Sequence, residues 1–341
     1  MNSIERVVGA VTYKPIDRVP VIPLSLTHGS LVLGKTLPEY QKNGELIAAG
    51  QMKLLELWEH DAVIGVPHVV EDLVPWGIPL NYYPNGSPTM GKISLIKFDD
   101  IKNLKVPDPT NSEETRQTLK AVSILRKEVG SHTPVIGALI APFSLPSMLM
   151  GTGNWMRLLL DDIDARDKYL ELLLQKCKQY AVSWAKRLIE AGAHIIVIAD
   201  GMASQAVISR RLFEQYALPI IKETITEIPA PVVYEGVGSV EGIIDLIATT
   251  GAVCTTLDYK DNLVNCKKIA QGKIGMMGNL NNIEMMYWNP TKIRLEVRKA
   301  IEKAGGGYGY IVSSQPPEIP HDVPMDVIES MVQATKAFGR Y

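Results

Sequence analysis

The sequence alternates short apolar runs with longer amphipathic segments, and this alternation limits the folds that the chain can adopt. The short runs are rich in β-branched residues and end in polar or glycine-containing loops. Apolar strands separated by helices indicate a parallel sheet whose outer face is covered by those helices. About eight strands are predicted, as in a (β/α)8 barrel; they cover residues 19–26, 60–66, 134–141, 194–199, 231–234, 252–257, 273–277 and 308–312.

The longer segments carry apolar residues at helical spacing. The segment 164–191 is a clear example, with lysine and glutamate side chains on the opposite face. Segments 210–228, 290–304 and 324–338 have the same pattern. We therefore predict an α/β fold in which residues 1–341 form a single (β/α)8 TIM barrel, preceded by an N-terminal helical extension.

One region interrupts the alternation. Residues 76–98 contain several prolines and the dipeptide Asn85-Gly86 between apolar residues. Asn-Gly between apolar runs is a hairpin signal. We predict a β-hairpin inserted between the second strand and its helix rather than a separate domain.

Composition excludes several classes of protein. The net charge is −2 and no basic stretch stands out, which argues against nucleic acid as a partner. The three cysteines form no CxxC pair, which argues against a disulfide framework and fits a reducing cytoplasm. The first residues lack the apolar core of a signal peptide, and no apolar run is long enough to span a bilayer. We expect a cytoplasmic protein without a membrane partner.

Candidate site residues follow from the barrel prediction, because active sites of β/α barrels form at the C-terminal ends of the strands. Each candidate also has a structural explanation, since a carboxylate at a strand end can cap the next helix and a lone histidine can be a buried core residue. The polar or flexible side chains that follow the predicted strands are His28, His68, Asp200, Met202, Tyr234, Glu235, Asp258, Asn279, Asn281, Glu318 and His321.

Metal binding stays open on the sequence alone. The chain has no HExxH motif, no CxxC pair and no histidine pair at i, i+4. Ligands that come from separate strand ends need no local spacing, so oxygen and nitrogen ligands suited to zinc remain available. The same carboxylates could instead act without a metal as general acids. The metal candidates are Glu235, Asp258, Glu318 and His321, with His28 as a further nitrogen ligand.

Four motifs occur in order along nearly the whole chain. They are Glu5-Arg6-Val7-Val8-Gly9-Ala10 with Pro15-Ile16-Asp17-Arg18-Val19-Pro20-Val21, then Lys102-Asn103-Leu104-Lys105-Val106-Pro107-Asp108-Pro109, then residues 141–151, and then Ile319-Pro320-His321-Asp322-Val323-Pro324. With these motifs the chain resembles the uroporphyrinogen decarboxylase superfamily, and within it the corrinoid-dependent methyltransferase branch. The resemblance implies a β/α barrel but does not fix the reaction.

Departures from the family patterns separate three branches. The decarboxylase branch binds an anionic tetrapyrrole through an arginine-rich loop after the first strand, where this chain has Leu24-Ser25-Leu26-Thr27-His28-Gly29. The thiol methyltransferase branch holds zinc with His-x-Cys and a later cysteine, and these positions read Tyr234-Glu235-Gly236 and Pro317-Glu318 here. The remaining branch comprises the methyl-donor:corrinoid methyltransferases, which include O-demethylases, and the chain resembles this branch. O-demethylases pass a methyl group from a methoxylated compound to Co(I) of a corrinoid protein.

This resemblance implies a methyltransferase that demethylates a small methoxylated, aromatic compound and needs a corrinoid-binding protein as partner. A departing phenolate needs a proton donor or a Lewis-acidic metal at its oxygen. We predict catalytic roles for Glu235, Asp258, His28 and Tyr234. We predict substrate contacts from Asp200, Asn279, Asn281, His68 and Met202. Another methyl donor or acceptor (a methylamine or a thiol), a non-catalytic corrinoid-protein partner, a bound zinc ion and a homodimer remain open.

Overall fold

The computed structural model describes residues 1–95 and 97–341. The described chain contains nine strands, seven of which form one parallel sheet. The strands are β1 (Val63–Ile64), β2 (Leu80–Tyr83), β3 (Gly86–Met90), β4 (Val135–Ile140), β5 (Ile195–Ala199), β6 (Val232–Glu235), β7 (Cys254–Thr256), β8 (Gly275–Leu280) and β9 (Tyr310–Ser314). The order in the large sheet is β1-β4-β5-β6-β7-β8-β9, and each neighbouring pair is parallel.

Helices follow the strands and cover the outer face of this sheet. They are α1 (Ser3–Val11), α2 (Gly29–Leu33), α3 (Leu37–Gln41), α4 (Gly44–Trp58), α5 (Glu113–Glu128), α6 (Leu145–Met150), α7 (Thr152–Met156), α8 (Ile163–Ala191), α9 (Arg210–Leu212), α10 (Leu218–Glu227), α11 (Ile244–Ile247), α12 (Leu263–Ala270), α13 (Pro290–Ala304) and α14 (Met325–Phe338). The predicted fold, a β/α barrel with an N-terminal helix and an inserted hairpin, is confirmed.

Local sequence explains where the long helices start and stop. The side chain of Asp162 accepts a hydrogen bond from the backbone of Ala165 at the start of α8, and the helix ends at Gly192, whose φ of 118° suits glycine. Helix α13 begins with Pro290 behind the capping side chain of Asn289. The predicted helix 210–228 is interrupted by a π-helical turn at Phe213–Ala217, between α9 and α10.

The first predicted strand, 19–26, is not a regular strand. Val21 forms a parallel bridge with Val312 of β9, and its carbonyl accepts a hydrogen bond from the backbone of Asp61 just before β1. The segment thus occupies the position between the first and last strands of the sheet. Pro20 and Pro23 have no N–H group to donate, which explains why the ladder stays incomplete.

Two apolar layers lie on the two faces of the sheet, because successive side chains of a strand point to opposite faces. In β6, Val233 belongs to the cluster inside the barrel, together with Val197 and Met277. Val232 and Tyr234 belong to the cluster between the sheet and the helices. Because Glu235 is two residues after Val233, its side chain points into the barrel, whereas the side chain of Tyr234 points to the helix layer.

The inserted hairpin is formed by β2 and β3, which pair antiparallel within the predicted range 76–98. Its two-residue turn is Pro84-Asn85, so Gly86 is the first residue of β3 rather than a turn residue. Ile96 of the predicted range lies outside the described residues. The hairpin lies over the C-terminal mouth of the barrel, where Ser87 and Pro88 border the interior cavity.

Candidate active site

A cavity of about 180 Å³ opens inside the barrel at the C-terminal ends of the strands. Its walls come from strands, from the 3-10 helical segment Val69–Leu73 that follows β1, from the hairpin and from the loop after β9. The lining residues are mostly apolar, and the polar ones are His68, Ser87, Glu235 and Glu318. Among the described residues, no arginine or lysine lines the cavity. The apolar lining residues are Leu24, Leu26, Ile64, Val69, Val70, Pro88, Ile136, Ala138, Val197, Met277 and Pro317.

Glu235 is the last residue of β6, and its parity directs its side chain into this cavity. The residue is 6% exposed. Burial in an apolar wall disfavours the charged carboxylate, and the neighbouring carboxylate of Glu318 adds repulsion. Together they raise the pKa of Glu235 to about 8, and no hydrogen bond from the described residues counteracts them. At neutral pH Glu235 is therefore mostly a protonated acid.

Glu318 approaches the same cavity from the loop after β9. Its Oε1 accepts a hydrogen bond from the hydroxyl of Ser87 in β3. Burial raises the pKa of Glu318, and the bond from Ser87 acts in the opposite direction because it stabilises the carboxylate. Of the two carboxyl groups, Glu318 thus has the better support for negative charge and Glu235 the better hold on a proton. Such a separation is the usual basis for assigning different roles to paired carboxyl groups.

The loop that carries Glu318 is braced by buried amide side chains. Asn282 donates a hydrogen bond to the backbone carbonyl of Glu318, and Gln315 donates to the side chain of Asn282 at 2.6 Å. Gln315 also accepts a hydrogen bond from the backbone of Tyr259 at 3.1 Å. These bonds connect the loops that follow β7, β8 and β9, so the position of Glu318 depends on all three.

The three predicted histidines lie in two places. His68 lines the cavity, is 5% exposed, and burial lowers its pKa to about 3, so it is neutral at physiological pH. His28 is fully buried, and its Nε2 donates to the carbonyl of Val323 at 3.3 Å. The rings of His28 and His321 are 6.0 Å apart between centroids, and neither lines the cavity.

Asp200, Tyr234 and Met202 belong to a buried network outside the cavity. Asp200 accepts hydrogen bonds from the hydroxyl of Ser144 at 2.5 Å and from the hydroxyl of Tyr234 at 3.4 Å. The backbone of Met202 donates to the hydroxyl of Ser144 at 2.9 Å. Burial raises the pKa of Asp200 to about 7. The network joins the loops after β4 and β5, and Tyr234 packs against Phe213 in the helix layer.

Asp258, Asn279 and Asn281 use their side chains in hydrogen bonds to backbone groups. Asp258 accepts a hydrogen bond from the backbone of Lys260 at 2.9 Å. Asn279 lies within β8 and donates to the carbonyls of Asp258 and Asp261, each at 3.0 Å. The side chain of Asn281 accepts hydrogen bonds from the backbone of residues 283 and 284, at the entry to the 3-10 segment Glu284–Tyr287. None of the three lines the cavity.

The predicted metal ligands are not brought together as a set. Glu235 and Glu318 share the cavity, whereas Asp258 and His321 lie outside its walls. Within residues 1–95 and 97–341, no group of three or more histidine, cysteine, aspartate or glutamate side chains could hold a metal ion. Zinc sites use three or four protein ligands. The described residues therefore do not fit a zinc site of this kind.

Of the four polar residues that line the cavity, Ser87 was not among the sequence candidates. Ser87 reaches the cavity only because the hairpin folds back over the barrel mouth, and no sequence pattern indicates this. Met277, the last residue of the predicted strand 273–277, also lies on the cavity wall. Cys254 is buried inside the barrel.

The sequence model of the uroporphyrinogen decarboxylase (URO-D) family matches residues 2–338. The chain belongs to this family. Uroporphyrinogen decarboxylase of Pseudoalteromonas atlantica is 24% identical over 357 residues, covering 96% of this chain and 94% of the relative. The methylcobamide:CoM methyltransferase MtaA of Methanosarcina barkeri is 26% identical over 307 residues, covering 87% of this chain and 88% of the relative.

Comparison with solved structures supports the same architecture for this URO-D family member. A methyltransferase from Methanosarcina mazei superposes with a TM-score of 0.90 at 23% identity, covering 99% of each chain. The likeness extends over the entire barrel and confirms the fold. No helix in the described part of the chain is long and apolar enough to cross a membrane.

Proposed function

We propose that this URO-D family protein is a methyltransferase that removes a methyl group from a small, neutral methoxylated compound and passes it to Co(I) of a corrinoid carried by a partner protein. The observation that supports the proposal is the pair of unlike carboxyl groups in an apolar cavity. Glu235 keeps its proton at neutral pH, whereas the hydrogen bond from Ser87 opposes the rise in the pKa of Glu318 that burial causes.

The reaction needs a proton at the leaving oxygen. Co(I) supplies the electron pair that bonds to the methyl carbon, the C–O bond breaks, and its electron pair stays on the oxygen. An alkoxide or phenolate in an apolar cavity is costly, so a positioned acid that donates a proton as the bond breaks accelerates the step. Glu235, protonated at neutral pH and buried in the wall, suits this role.

The shape of the cavity supports a small apolar body for the substrate. An engineered apolar cavity of about 150 Å³ is known to bind benzene. The present cavity is of similar size, with walls built from leucine, isoleucine, valine, alanine and methionine. One aromatic ring with a methoxy group would contact these walls while its ether oxygen faces Glu235.

Decarboxylation of a polyanionic substrate fits the cavity poorly. The described lining contains two acidic side chains and no basic one. Several carboxylates brought beside Glu235 and Glu318 would meet repulsion without a compensating cation. Transfer to a thiol also has little support, because all three cysteines are buried and none lines the cavity.

A methylamine donor is the second candidate, and the same pair of carboxyl groups favours it. A methylammonium ion would be attracted by Glu235 and Glu318, and its charge would lower the pKa of both groups. A cation in the cavity would therefore convert Glu235 from an acid to a carboxylate. The two donors differ in what they need: the ether needs the proton of Glu235, and the ammonium needs its charge.

The test follows the cobalt spectrum of a reduced corrinoid protein mixed with this chain and matched donors. Conversion of Co(I) to methyl-Co(III) with methoxyarenes and release of a phenol would support the proposal. Conversion only with methylamines would replace it by the second candidate. Silence with every donor, while a known methyltransferase methylates the same corrinoid protein, would favour a non-catalytic partner and contradict both enzymatic proposals.

A further inference from the structure

Residues 79–94, which carry the inserted hairpin, are anchored in the core at their two ends. Ile78 is fully buried on one side. On the other side Leu95 is 3% exposed, and its backbone donates a hydrogen bond to the carbonyl of Leu149 at 2.9 Å. Of residues 79–94 themselves, only Pro88 is buried. Lifting this segment therefore exposes little apolar surface, as is typical of segments that open locally.

The hairpin is a two-stranded unit with a closed base. In the described part of the chain, β2 and β3 pair only with each other. At the base, the backbone of Gly91 donates a hydrogen bond to the carbonyl of Pro79 at 2.7 Å. A Cβ at Gly91 would lie 2.9 Å from that carbonyl oxygen, so glycine permits the close approach. An isolated two-stranded hairpin is marginally stable in water, so its contacts with the barrel decide whether it stays in place.

Two side-chain contacts hold the hairpin over the cavity. Ser87 of β3 donates a hydrogen bond to Glu318, and among the described residues no other hydrogen bond connects this segment with the rest of the chain. On β2, the ring of Tyr82 lies 4.0 Å from Nζ of Lys42 and meets the ring of His68 edge-on at 6.1 Å between centroids. Glu318 and His68 both line the cavity, so the hairpin is fastened to the cavity walls themselves.

We propose that residues 79–94 form a lid that swings away from the barrel mouth about its closed base, with Ser87 and Glu318 as its latch. Ser87 and Pro88 lie on the cavity wall, so opening connects the cavity with solvent. The inference rests on the proposed function for the purpose of this opening. A corrin ring is far wider than a cavity of about 180 Å³ admits, so cobalt reaches a methyl group only after the lid has moved. The movement itself needs no substrate.

The contacts that hold the lid are few, and each has a limited effect on its equilibrium. A hydrogen bond to a charged group shifts an equilibrium by roughly tenfold to a hundredfold. A cation over an aromatic ring at the surface shifts it by about threefold. These contacts favour the closed lid without preventing its opening on the microsecond to millisecond timescale of enzyme lids.

The test measures how fast iodoacetamide alkylates a thiol placed on the cavity wall. All three native cysteines are buried, so Ala138→Cys supplies the reporter, and Val197→Cys on the neighbouring strand replaces it if the first variant does not fold. When the lid closes faster than the thiol reacts, the rate follows the open fraction. Mass spectrometry follows the reporter and Cys177 in the same sample. Cys177 lies in the helix layer and reports on global unfolding.

Variants of the latch and a matched control decide the outcome. Ser87→Ala and Ser87→Val both remove the donor, and valine leaves no hole in the wall. We expect each to raise the alkylation rate of the reporter roughly tenfold or more, and Lys42→Met to raise it about threefold. Thr89→Ala removes an exposed hairpin hydroxyl that contacts Tyr83 rather than the barrel, and it should leave the rate unchanged. The rate at Cys177 should stay the same in every variant.

An increase with Ser87→Ala but not with Ser87→Val would indicate a hole in a fixed wall and would overturn the inference. Reporter rates that no latch variant changes, or that rise in step with Cys177, would also overturn it. The measurement contains neither a methyl donor nor a corrinoid protein. Absence of methyl transfer would therefore contradict the proposed function, whereas absence of a latch effect would contradict the lid, and the two failures are distinguishable.

Discussion

The hydroxyl of Ser87 donates a hydrogen bond to the carboxylate of Glu318, although 231 residues separate them in the chain. Ser87 belongs to the inserted hairpin and Glu318 to the loop after the last strand, so the bond joins the two elements across the cavity mouth. It also distinguishes the two cavity carboxyl groups, because no described side chain donates such a hydrogen bond to Glu235. The assignment of Glu235 as the acid depends on this difference.

Ser87→Ala tests that relationship directly. Loss of the donor should raise the pKa of Glu318 and loosen its carboxylate, so KM for a methoxyarene should rise several-fold with a smaller effect on kcat. Thr89→Ala is the matched control, since Thr89 is an exposed hairpin hydroxyl that contacts Tyr83 rather than the cavity. Steady-state kinetics of both variants decide the matter, and an equal effect of the two would contradict a specific role for Ser87.

Glu235→Gln removes the proposed acid while preserving its size. The rate of methyl transfer from a methoxyarene should fall by roughly 10²–10⁴-fold, the usual contribution of general acid catalysis. Ligand affinity measured by calorimetry should change much less. Asp258→Asn should retain activity, because Asp258 accepts only a turn hydrogen bond that asparagine can also accept. Full activity of Glu235→Gln would show that the proton comes from elsewhere.

The rate should depend on pH through Glu235. Its pKa is raised to about 8, so the protonated form that donates is present below pH 8 and is lost as pH rises through that value. We expect kcat/KM for a methoxyarene to decline above pH 8 in the native protein. Glu235→Gln should lack this decline. A rate that instead increases with pH across the same interval would identify a general base and contradict the assignment.

The raised pKa of Glu235 also affects stability. Between the ordinary pKa of a glutamate and about 8, the folded protein retains a proton that the unfolded chain has released, so the free energy of unfolding decreases as pH rises. Glu235→Gln removes this loss. The variant should gain stability on the order of a few kcal/mol by pH 8 and little at pH 5. Urea denaturation at both values measures it, and a difference independent of pH would be inconsistent with burial of the charge.

Tyr234→Phe separates structure from catalysis at neighbouring positions. The hydroxyl of Tyr234 donates to Asp200 at 3.4 Å in the layer between sheet and helices. Its removal should lower the free energy of unfolding by about 1 kcal/mol. The rate of methyl transfer should stay close to that of the native protein. A large loss of rate at unchanged stability would place the hydroxyl in the reaction.

Much of the barrel could be predicted from periodicity. The predicted helix 290–304 coincides with α13 because its apolar spacing, Asn289 cap and leading proline all agree. Strand boundaries were less accurate: β8 was predicted to end at Met277 and continues to Leu280, so Asn279 lies in the strand. The segment 19–26 was predicted as a strand from its composition, but its prolines leave a single bridge at Val21.

The position of the site residues along the chain could be predicted, but the direction of their side chains could not. The position of Glu235 at a strand end was evident from the sequence, since an apolar run stops there. Which of Tyr234 and Glu235 faces the cavity was not evident, because a strand buried on both faces has no polar side to reveal its parity. The pairing of β6 with its neighbours decides it. Asp258 and Asn281 look like cavity candidates in sequence, yet their side chains are used by adjacent backbone groups.

The sequence by itself determined the alternation of strands and helices, the family and the presence of carboxyl groups at strand ends, because these depend on local periodicity and short motifs. Only the tertiary structure decided that Glu235 and Glu318 share one apolar cavity while His321 and Asp258 lie elsewhere. The tertiary structure also decided that Ser87 of the hairpin lines this cavity. Long-range proximity and burial set the pKa of each carboxyl group, and neither can be read from neighbours along the chain.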